Sequence, residues 1–406
     1  MTRSQRRVLF LSHSASRNGA TILLLRFLRW LRPRVDWEIE VLVCGRGPLL
    51  GEFRSVAPTR VVRSFPAFVS ALPQQYRART SRSVVAAYCA ALLGTRRFDL
   101  IYANTSAVWP LVSALRNRAP VLWHIHELRY ALRLTLGDQH DRALQSLPER
   151  LIAVSRSVKE SLVRDFRVPI TKIDVVHGFV PSMEMAPAEW QRRRQRVRLA
   201  LGWPDDAFVV GGCGSLGWRK GSDLFLQIAR RMIDTERHAN IRFLWVGGDE
   251  AAGETLEFDH DLDRLDLEGR CRRVPTAADV VDYYCAMDLF ALTSREDPFP
   301  LVMLEAGALG VPTVCFAESG GGPEFVADGA GATVPYADVH RFAAELEALR
   351  DDAERRKRMA EVAAESVRAH HVVDVQGPQI LANIQRCLDE SSRGVSVGAN
   401  AVGRRV

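Results

Sequence analysis

Leu289-Phe-Ala-Leu-Thr-Ser-Arg-Glu-Asp-Pro-Phe-Pro-Leu-Val-Met-Leu-Glu-Ala306 is the stretch on which the reading of this chain turns. A short apolar run, Leu289–Thr293, has the length and composition of a buried strand. A polar loop with two prolines follows, and a helical pattern begins near Leu301. The unit is therefore strand, loop, helix. It places Asp297 in the loop and Glu305 eight positions later, early in the helix. Carboxylates at those two places can bracket a ligand, one near a sugar and one accepting hydrogen bonds from ribose hydroxyls. The plain alternative is loop charge plus a carboxylate favoured by the helix dipole.

Two more units of the same kind flank it. Val210-Gly-Gly-Cys-Gly-Ser-Leu-Gly-Trp-Arg-Lys-Gly221 joins the strand Phe208–Cys213 to a helix over Asp223–Asp234. It contains Gly212-x-Gly214-x-x-Gly217, a literal dinucleotide fingerprint. A true fingerprint also places an acidic residue about 20 positions on, at the end of the next strand. Here that region is helix, and the next strand ends only at Gly247-Gly-Asp249. Arg219 and Lys220 directly before a helix suit a diphosphate instead, because cations, flexible glycines and the helix N-terminus act together. An ordinary glycine turn with solvated cations is the alternative. The third unit, Ala317-Glu-Ser-Gly-Gly-Gly-Pro-Glu324, follows the strand Thr313–Phe316 and exposes backbone N–H groups to an anion, or is simply a permissive turn. All three loops follow strands of one sheet, so all three fall on its ligand-binding edge.

The rest of the chain repeats this βα rhythm. Strands are expected at Arg7–Ser12, Trp37–Cys44, Asp99–Ala103, Val121–His126, Leu151–Val154 and Lys172–His177. Helical patterns fall at Ala20–Arg32, Ser81–Leu93, Val108–Arg116 and Ser157–Arg164. In the second half they fall at Glu189–Ala200, Ala278–Ala286, Leu301–Ala308, Glu324–Val326, Val339–Ala364 and Gln376–Leu388, with further strands at Ile241–Gly247 and Cys271–Val274. Alternation of this kind predicts parallel, doubly wound sheets, here two in tandem. A loop-like linker lies near Val180–Pro187. The predicted division is 1–182, 183–372, a C-terminal helix at 373–390 packing back on the N-terminal domain, and a disordered tail at 391–406. The fold class is α/β, two Rossmann-like domains facing across an interdomain cleft.

Composition bounds the rest. At 406 residues, 47% hydrophobic and 25% charged, the chain reads as a soluble globular protein of about two or three domains. No apolar run reaches the length of a membrane span, and Val8-Leu-Phe-Leu-Ser12 is too short for a signal-peptide core. The seven cysteines (Cys44, Cys89, Cys213, Cys271, Cys285, Cys315, Cys387) are scattered without a CxxC, as reduced cytoplasmic core thiols would be. The net charge of +7 hides an asymmetry: residues 1–180 carry 28 Lys and Arg against 12 Asp and Glu, and residues 181–406 carry 27 against 36. A basic first half suits anionic lipid surfaces or diphosphates, with peripheral contact at the inner face of a membrane as one option. No recognised nucleic-acid motif accompanies the charge.

In the first half, Val121-Leu-Trp-His-Ile-His-Glu-Leu128 places His124 and His126 on one face of a strand. A metal site would need a third ligand, which the sequence does not supply. A structural histidine is the other reading.

These motifs together resemble glycosyltransferase family 4, the retaining glycosyl transferases of group 1, which have the GT-B fold. The carrying residues are Asp297-x7-Glu305, Leu304-Glu305-Ala306, Gly321-Gly322-Pro323-Glu324 and Arg219-Lys220-Gly221. The resemblance covers nearly the whole chain and is most specific over 210–330. It implies that Glu305 binds the donor ribose, that Asp297 and Glu296 lie near the transferred sugar, and that Lys220 with Arg219 holds the diphosphate. It also implies donor contacts from Gly214, Ser215, Phe299, Pro300, Leu301, Gly320, Gly321 and Gly322. In the first half it implies that His126 faces the donor sugar and that the turn Asn18-Gly19-Ala20 closes on it. Three positions depart from the family pattern: Asp297 stands where Glu is usual, Ser215 where an Arg is usual, and Asn18-Gly19-Ala20 where Gly-Gly-Ala/Ser is usual. The implied activity is transfer from a nucleoside-diphosphate sugar by a front-face mechanism with no metal and no cofactor, as an enzyme of the hexosyltransferase type (EC 2.4). The implied acceptor is a glycan or lipid-linked glycan of surface polysaccharide synthesis, or a small natural product. A catalytically weak scaffold and an NAD-dependent oxidoreductase are the readings from other classes.

Overall fold

The computed structural model describes residues 5–62, 91–233, 239–248, 253–276 and 279–402. The expected helical segment 81–90, Asp249 and Cys89 lie outside them. The described chain divides into two compact units, Met1–His177 with Val373–Val406, and Gly178–Val372.

The first unit is built on seven strands: β1 (Arg7–Ser12), β2 (Glu38–Val43), β3 (Thr59–Val61), β4 (Leu100–Asn104), β5 (Val121–Ile125), β6 (Arg150–Ala153) and β7 (Ile173–Val175). Every pairing is parallel, in the order β3-β2-β1-β4-β5-β6-β7. β4 and β5 are buried at every position, so they read as mostly apolar runs rather than alternating ones. The strand order reverses between β1 and β4, and this is where ligands of such sheets bind. The C-terminal helix Val373–Val402 belongs to this unit. It is anchored where the Trp30 indole N–H donates to Asp374 Oδ1 at 2.8 Å. Gly377 lies against the same indole, and a Cβ there would stand 2.8 Å from it. The helix continues past position 391, where the sequence predicts disorder.

The second unit carries six parallel strands: β8 (Phe208–Cys213), β9 (Ile241–Val246), β10 (Cys271–Val274), β11 (Leu289–Leu292), β12 (Thr313–Phe316) and β13 (Gly331–Val334), in the order β10-β9-β8-β11-β12-β13. Its core packs Phe225, Phe243, Trp245 and Phe342 beneath the sheet. The helix Pro187–Ala200 is tied to the segment before β11 by arginines: Arg194 pairs with Asp288 at 2.6 Å, and the buried Arg198 pairs with the same carboxylate at 2.9 Å. The helix predicted over Val339–Ala364 is two helices, Val339–Asp351 and Ala353–His370. Asp352 leaves helical geometry between them, and its side chain accepts from the Arg355 N–H as the cap of the second.

Candidate active site

The three loops singled out in the sequence follow β8, β11 and β12, which are adjacent strands. The order reverses between β8 and β11, so the first two loops straddle the switch point of this sheet. They are laced together by main-chain hydrogen bonds. The carbonyl of Arg219 accepts from the N–H of Arg295 at 2.9 Å, and the Arg219 guanidinium donates to the Glu296 carbonyl at 3.0 Å. Asp297 bridges to the third loop in parallel register with Gly320: its N–H donates to the Ser319 carbonyl at 2.7 Å, and its own carbonyl accepts from Gly321 at 3.0 Å.

Glycine is required where these loops touch. Gly221 has φ +66°, and a Cβ there would lie 2.0 Å from the Thr293 carbonyl oxygen. A Cβ at Gly321 would lie 2.3 Å from the Pro298 carbonyl oxygen.

At the centre, Lys220 Nζ donates to Asp297 Oδ2 at 2.5 Å, and the Ser294 hydroxyl donates to the same oxygen at 3.1 Å. The side chains are 15% and 6% exposed, so the pair is held largely out of water. Lys220 stands just before the helix Ser222–Ile233, whose first amides and dipole add to its positive charge. Arg295 braces the rim: it forms a two-pronged pair with Asp223 at 2.8 and 2.7 Å and donates to the Trp218 carbonyl.

Glu305 is the fifth residue of the helix Leu301–Ala308. Its Oε2 lies 3.3 Å from the hydroxyl of Tyr284, which is 3.5 Å from Cys213 Sγ. Burial pushes the Tyr284 phenol well up and the Cys213 thiol to about 12, so both stay neutral beside the Glu305 carboxylate.

The carboxyl edge of the first sheet carries a second cluster. Asn18 caps the helix Gly19–Leu31, its side-chain oxygen accepting from the Thr21 N–H. Asn104, the last residue of β4, donates to the Ala20 carbonyl at 3.0 Å and lies 2.9 Å from His126 Nε2. The Glu127 carboxylate accepts from the N–H groups of Ser106 and His126. Thr105 is held at φ +74°, a strained conformation for a β-branched residue, by hydrogen bonds to His124, Trp123 and Ala107. His124 is buried against Tyr102, Nδ1 to hydroxyl 2.5 Å, and its ring centroid is 4.2 Å from that of His126. Burial lowers His124 to about 3. Burial first, then His124 and His13, lower His126 well below the ordinary histidine range. Among the described residues, no group of three or more His, Cys, Asp or Glu is arranged to hold a metal.

Comparison with known proteins gives these geometries a family. Residues 17–182 match the model of Glycosyltransferase Family 4, and residues 207–352 match that of Glycosyl transferases group 1. The D-inositol 3-phosphate glycosyltransferase of Kineococcus radiotolerans is 30% identical over 66% of this chain and 67% of its own length. The chain belongs to glycosyltransferase family 4. The corresponding protein of Corynebacterium efficiens is 29% identical over 82% of each chain. The crystal structure of Anabaena HepE in complex with UDP and glucose superposes with a TM-score of 0.75 at 22% identity, over 93% of this chain and 99% of that one. WaaG, a glycosyltransferase involved in lipopolysaccharide biosynthesis, superposes with a TM-score of 0.71 at 16% identity, over 93% and 99%. The fold is thus GT-B, and the chain is a nucleotide-sugar glycosyltransferase of family 4.

The structure refines several residues read from the sequence. It brings Gly214, Ser215, Arg219, Lys220, Glu296, Asp297 and Gly320–Gly322 to one edge of the second sheet. The Gly321 amide, expected to serve a substrate, donates instead to the Asp297 carbonyl. Phe299 and Leu301 are buried, their side chains packed on Gly178 and that of Phe299 also on Gly321 and His371. Gly19, Ala20 and His126 stand at the edge of the first sheet. Sequence reading missed Ser294, Arg295, Asp223, Tyr284 and Asn104. Arg295 carried a signal, since it adjoins Glu296 in the decisive loop; Tyr284 and Asn104 carried none, because only the tertiary fold brings them near.

Proposed function

We propose that this family member is a retaining enzyme that moves a sugar from a nucleoside-diphosphate donor held on the carboxyl edge of the second sheet. The observation that carries the reading is Lys220, placed at the β8–β11 switch point, before a helix N-terminus and against Asp297. A diphosphate seated there meets Lys220, Arg219 and the amides of the β8 loop, while Glu305, held by Tyr284, accepts from ribose hydroxyls. Asp297 and Glu296 lie on the sugar side of that seat. In a front-face transfer, the bond from the anomeric carbon to the diphosphate oxygen breaks as the acceptor oxygen bonds to the same face, and the acceptor's proton passes to the departing diphosphate. The protein's task is then to stabilise charge on the leaving group, which Lys220 and the helix N-terminus do. The HepE complex with UDP and glucose supports a uridine donor. Calorimetric titration with UDP-, GDP- and dTDP-linked sugars, with NAD as control, tests this. A protein that binds NAD and none of the sugar nucleotides sinks it.

The acceptor reading rests on charge. The basic first half, residues 1–180, suits a phosphate-bearing acceptor, either a small phosphorylated polyol, as the named activity of the actinobacterial relatives suggests, or a lipid-linked glycan. The helix Arg129–Leu136 exposes Tyr130 and Leu134 beside Arg129 and Arg133, which favours a membrane-presented acceptor. Co-sedimentation with anionic liposomes decides between them: binding at low salt that is lost at high salt supports the membrane, and no binding at low salt leaves the soluble polyol.

A further inference from the structure

We propose that Arg242 and Arg270, whose guanidiniums meet at the Ile241 carbonyl, form with Arg272 a seat for a phosphate group at the amino edge of the second sheet. The donor loops leave the opposite, carboxyl edge of that sheet, so the seat stands or falls apart from the donor-site reading.

The sheet brings the three arginines together. Phe243 and Cys271 are register partners, and the Phe243 N–H donates to the Arg270 carbonyl at 2.8 Å. Arg242 and Arg270, one step earlier on neighbouring strands, are therefore side by side. Arg272 lies two positions further along β10, on the same face. The side chains then converge: Arg242 Nη1 donates to the Ile241 carbonyl at 2.9 Å, and Arg270 Nε donates to the same oxygen at 3.2 Å. Arg242 and Arg270 are half-buried, while Arg272 is exposed. Arg273, on the opposite face of β10, finds a carboxylate in a two-pronged pair with Asp259. Arg242 and Arg272 make no ion pair among the described residues. Asp206 is the carboxylate whose field reaches Arg242, and it is exposed and forms no bridge to it.

Two like charges that share one acceptor are costly to hold. Burial first, and then the charge of Arg270, pull the Arg242 guanidinium below the ordinary arginine value, and burial does the same to Arg270. Arginine does not shed its proton to escape, so the repulsion lasts until an anion arrives. Arg242 Nε is also buried without a hydrogen-bond partner. Its Nη1 is committed to the Ala239 and Ile241 carbonyls, which leaves Nη2 to a ligand. A phosphate fits this arrangement. Its oxygens accept from several guanidiniums at once, and a charge of about −1.5 to −2 offsets their repulsion. A carboxylate presents one edge and a single charge to three cations. Arginines that only guard an edge strand against pairing would point into water and need not share a carbonyl.

The test is thermal unfolding of the full chain with inorganic phosphate against sodium chloride at equal ionic strength. Both arms contain saturating UDP, so that the seat at Lys220 is filled. Phosphate at about ten times its Kd should raise the melting temperature by roughly 3–6 °C, and chloride should not. Arg242→Gln should lose that rise with UDP affinity unchanged. Its melting temperature in chloride should be no lower than that of the wild type, because a repelling charge is gone. A purely structural Arg242 gives the reverse, a lower melting temperature with the phosphate rise kept. Arg272→Gln, at an exposed position, should weaken phosphate binding about tenfold. Glycerol 3-phosphate that reproduces the rise assigns a soluble phosphomonoester. Retention on phosphatidylcholine vesicles containing phosphatidic acid, lost in Arg242→Gln, assigns the same group on a lipid. Neither of these marks an adventitious ion only and overturns the proposal. So does the absence of a rise with phosphate, an equal rise with chloride, or an equal rise in Arg242→Gln. A chain that binds no UDP refutes the donor site instead, and the comparison of wild type with Arg242→Gln still decides this one.

Discussion

Neutralising the Lys220–Asp297 pair one partner at a time, and then both, separates what it does for the fold from what it does for the reaction. At 2.5 Å, in an effective dielectric of about 20, the two charges attract by ~7 kcal/mol before desolvation is subtracted. Much of that is spent on burial, and removing one partner of such a pair costs about 3–5 kcal/mol, because the other is left buried and charged. Lys220→Met leaves Asp297 Oδ2 with only the Ser294 hydroxyl. Its melting temperature should fall by roughly 10 °C. It should also bind UDP about 10- to 100-fold more weakly, from the loss of a charge-assisted hydrogen bond. Asp297→Asn should destabilise similarly yet bind UDP more tightly, since a negative charge beside the diphosphate is gone. The double variant Lys220→Met/Asp297→Asn should regain most of the stability, because no unpaired charge remains. Its turnover should stay at least about 100-fold down, because the leaving diphosphate has lost its cation. The assay is thermal unfolding alongside calorimetry with UDP and hydrolysis of the best donor sugar. A double variant with wild-type turnover refutes the catalytic assignment. One that is no more stable than the single variants refutes the electrostatic account.

Three further outcomes follow from the geometry. Glu305→Gln keeps the contact with Tyr284 but weakens acceptance from ribose hydroxyls, so nucleotide affinity should fall about tenfold with the melting temperature nearly unchanged; calorimetry reads it, and equal affinity removes Glu305 from the ribose site. Gly221→Ala drives a Cβ into the Thr293 carbonyl at a positive φ, so it should lower the melting temperature and abolish UDP binding, whereas Gly51→Ala, in the helix Leu50–Val56 with nothing within 4 Å, should be neutral or slightly stabilising. His124 has an ordinary value of 6.5 and is lowered to about 3 by burial, so the fold favours its neutral form. Stability is full above 6.5 and is lost as pH falls toward 3, by about 1.4 kcal/mol per pH unit, or about 2 kcal/mol between neutral pH and pH 5. Urea unfolding of the wild type and of His124→Asn should show a steeper pH slope in the former; parallel slopes contradict the buried neutral imidazole.

Strands that are apolar from end to end are legible in the sequence. β1, β8 and β12 fall on the predicted residues without a shift, because a strand covered on both faces needs a nearly continuous apolar run and tolerates little else. The strands that escaped notice lie at sheet edges. β3 has only three residues, each half-buried. β13 opens on Gly331, where a side chain would strike the Thr313 carbonyl at 1.9 Å. The close approach of two backbones demands a residue that carries no strand signal. The break at Asp352 was hidden for a related reason: periodicity runs through it, and only the cap that Asp352 gives to Arg355 shows that one helix ends and another begins.

The same logic separates the parts of the candidate site. Spacing along the chain exposes each loop, because strand, glycine-rich turn and helix are contiguous there. It cannot show that Lys220 and Asp297, 77 positions apart, form an ion pair. That depends on register. β11 lies beside β8 with Leu289 opposite Val210 and Phe290 opposite Gly211, so the two strands end nearly level. Their loops leave side by side, and Arg219 stitches them at both its carbonyl and its guanidinium. A shift of one residue would turn β11 over, set each of its side chains against the wrong covered face and carry Asp297 away from Lys220. The all-buried Leu289–Leu292 therefore fixes the ion pair from a distance: its packing holds the register, and the register sets the 2.5 Å contact. Asp297, one methylene shorter than the Glu usual in the family, reaches Lys220 because the parallel bridge to Gly320 pins its backbone beside the third loop. Replacing it with Glu while the bridge holds would push the carboxylate past Lys220. The shorter acid is thus matched to this chain's loop geometry.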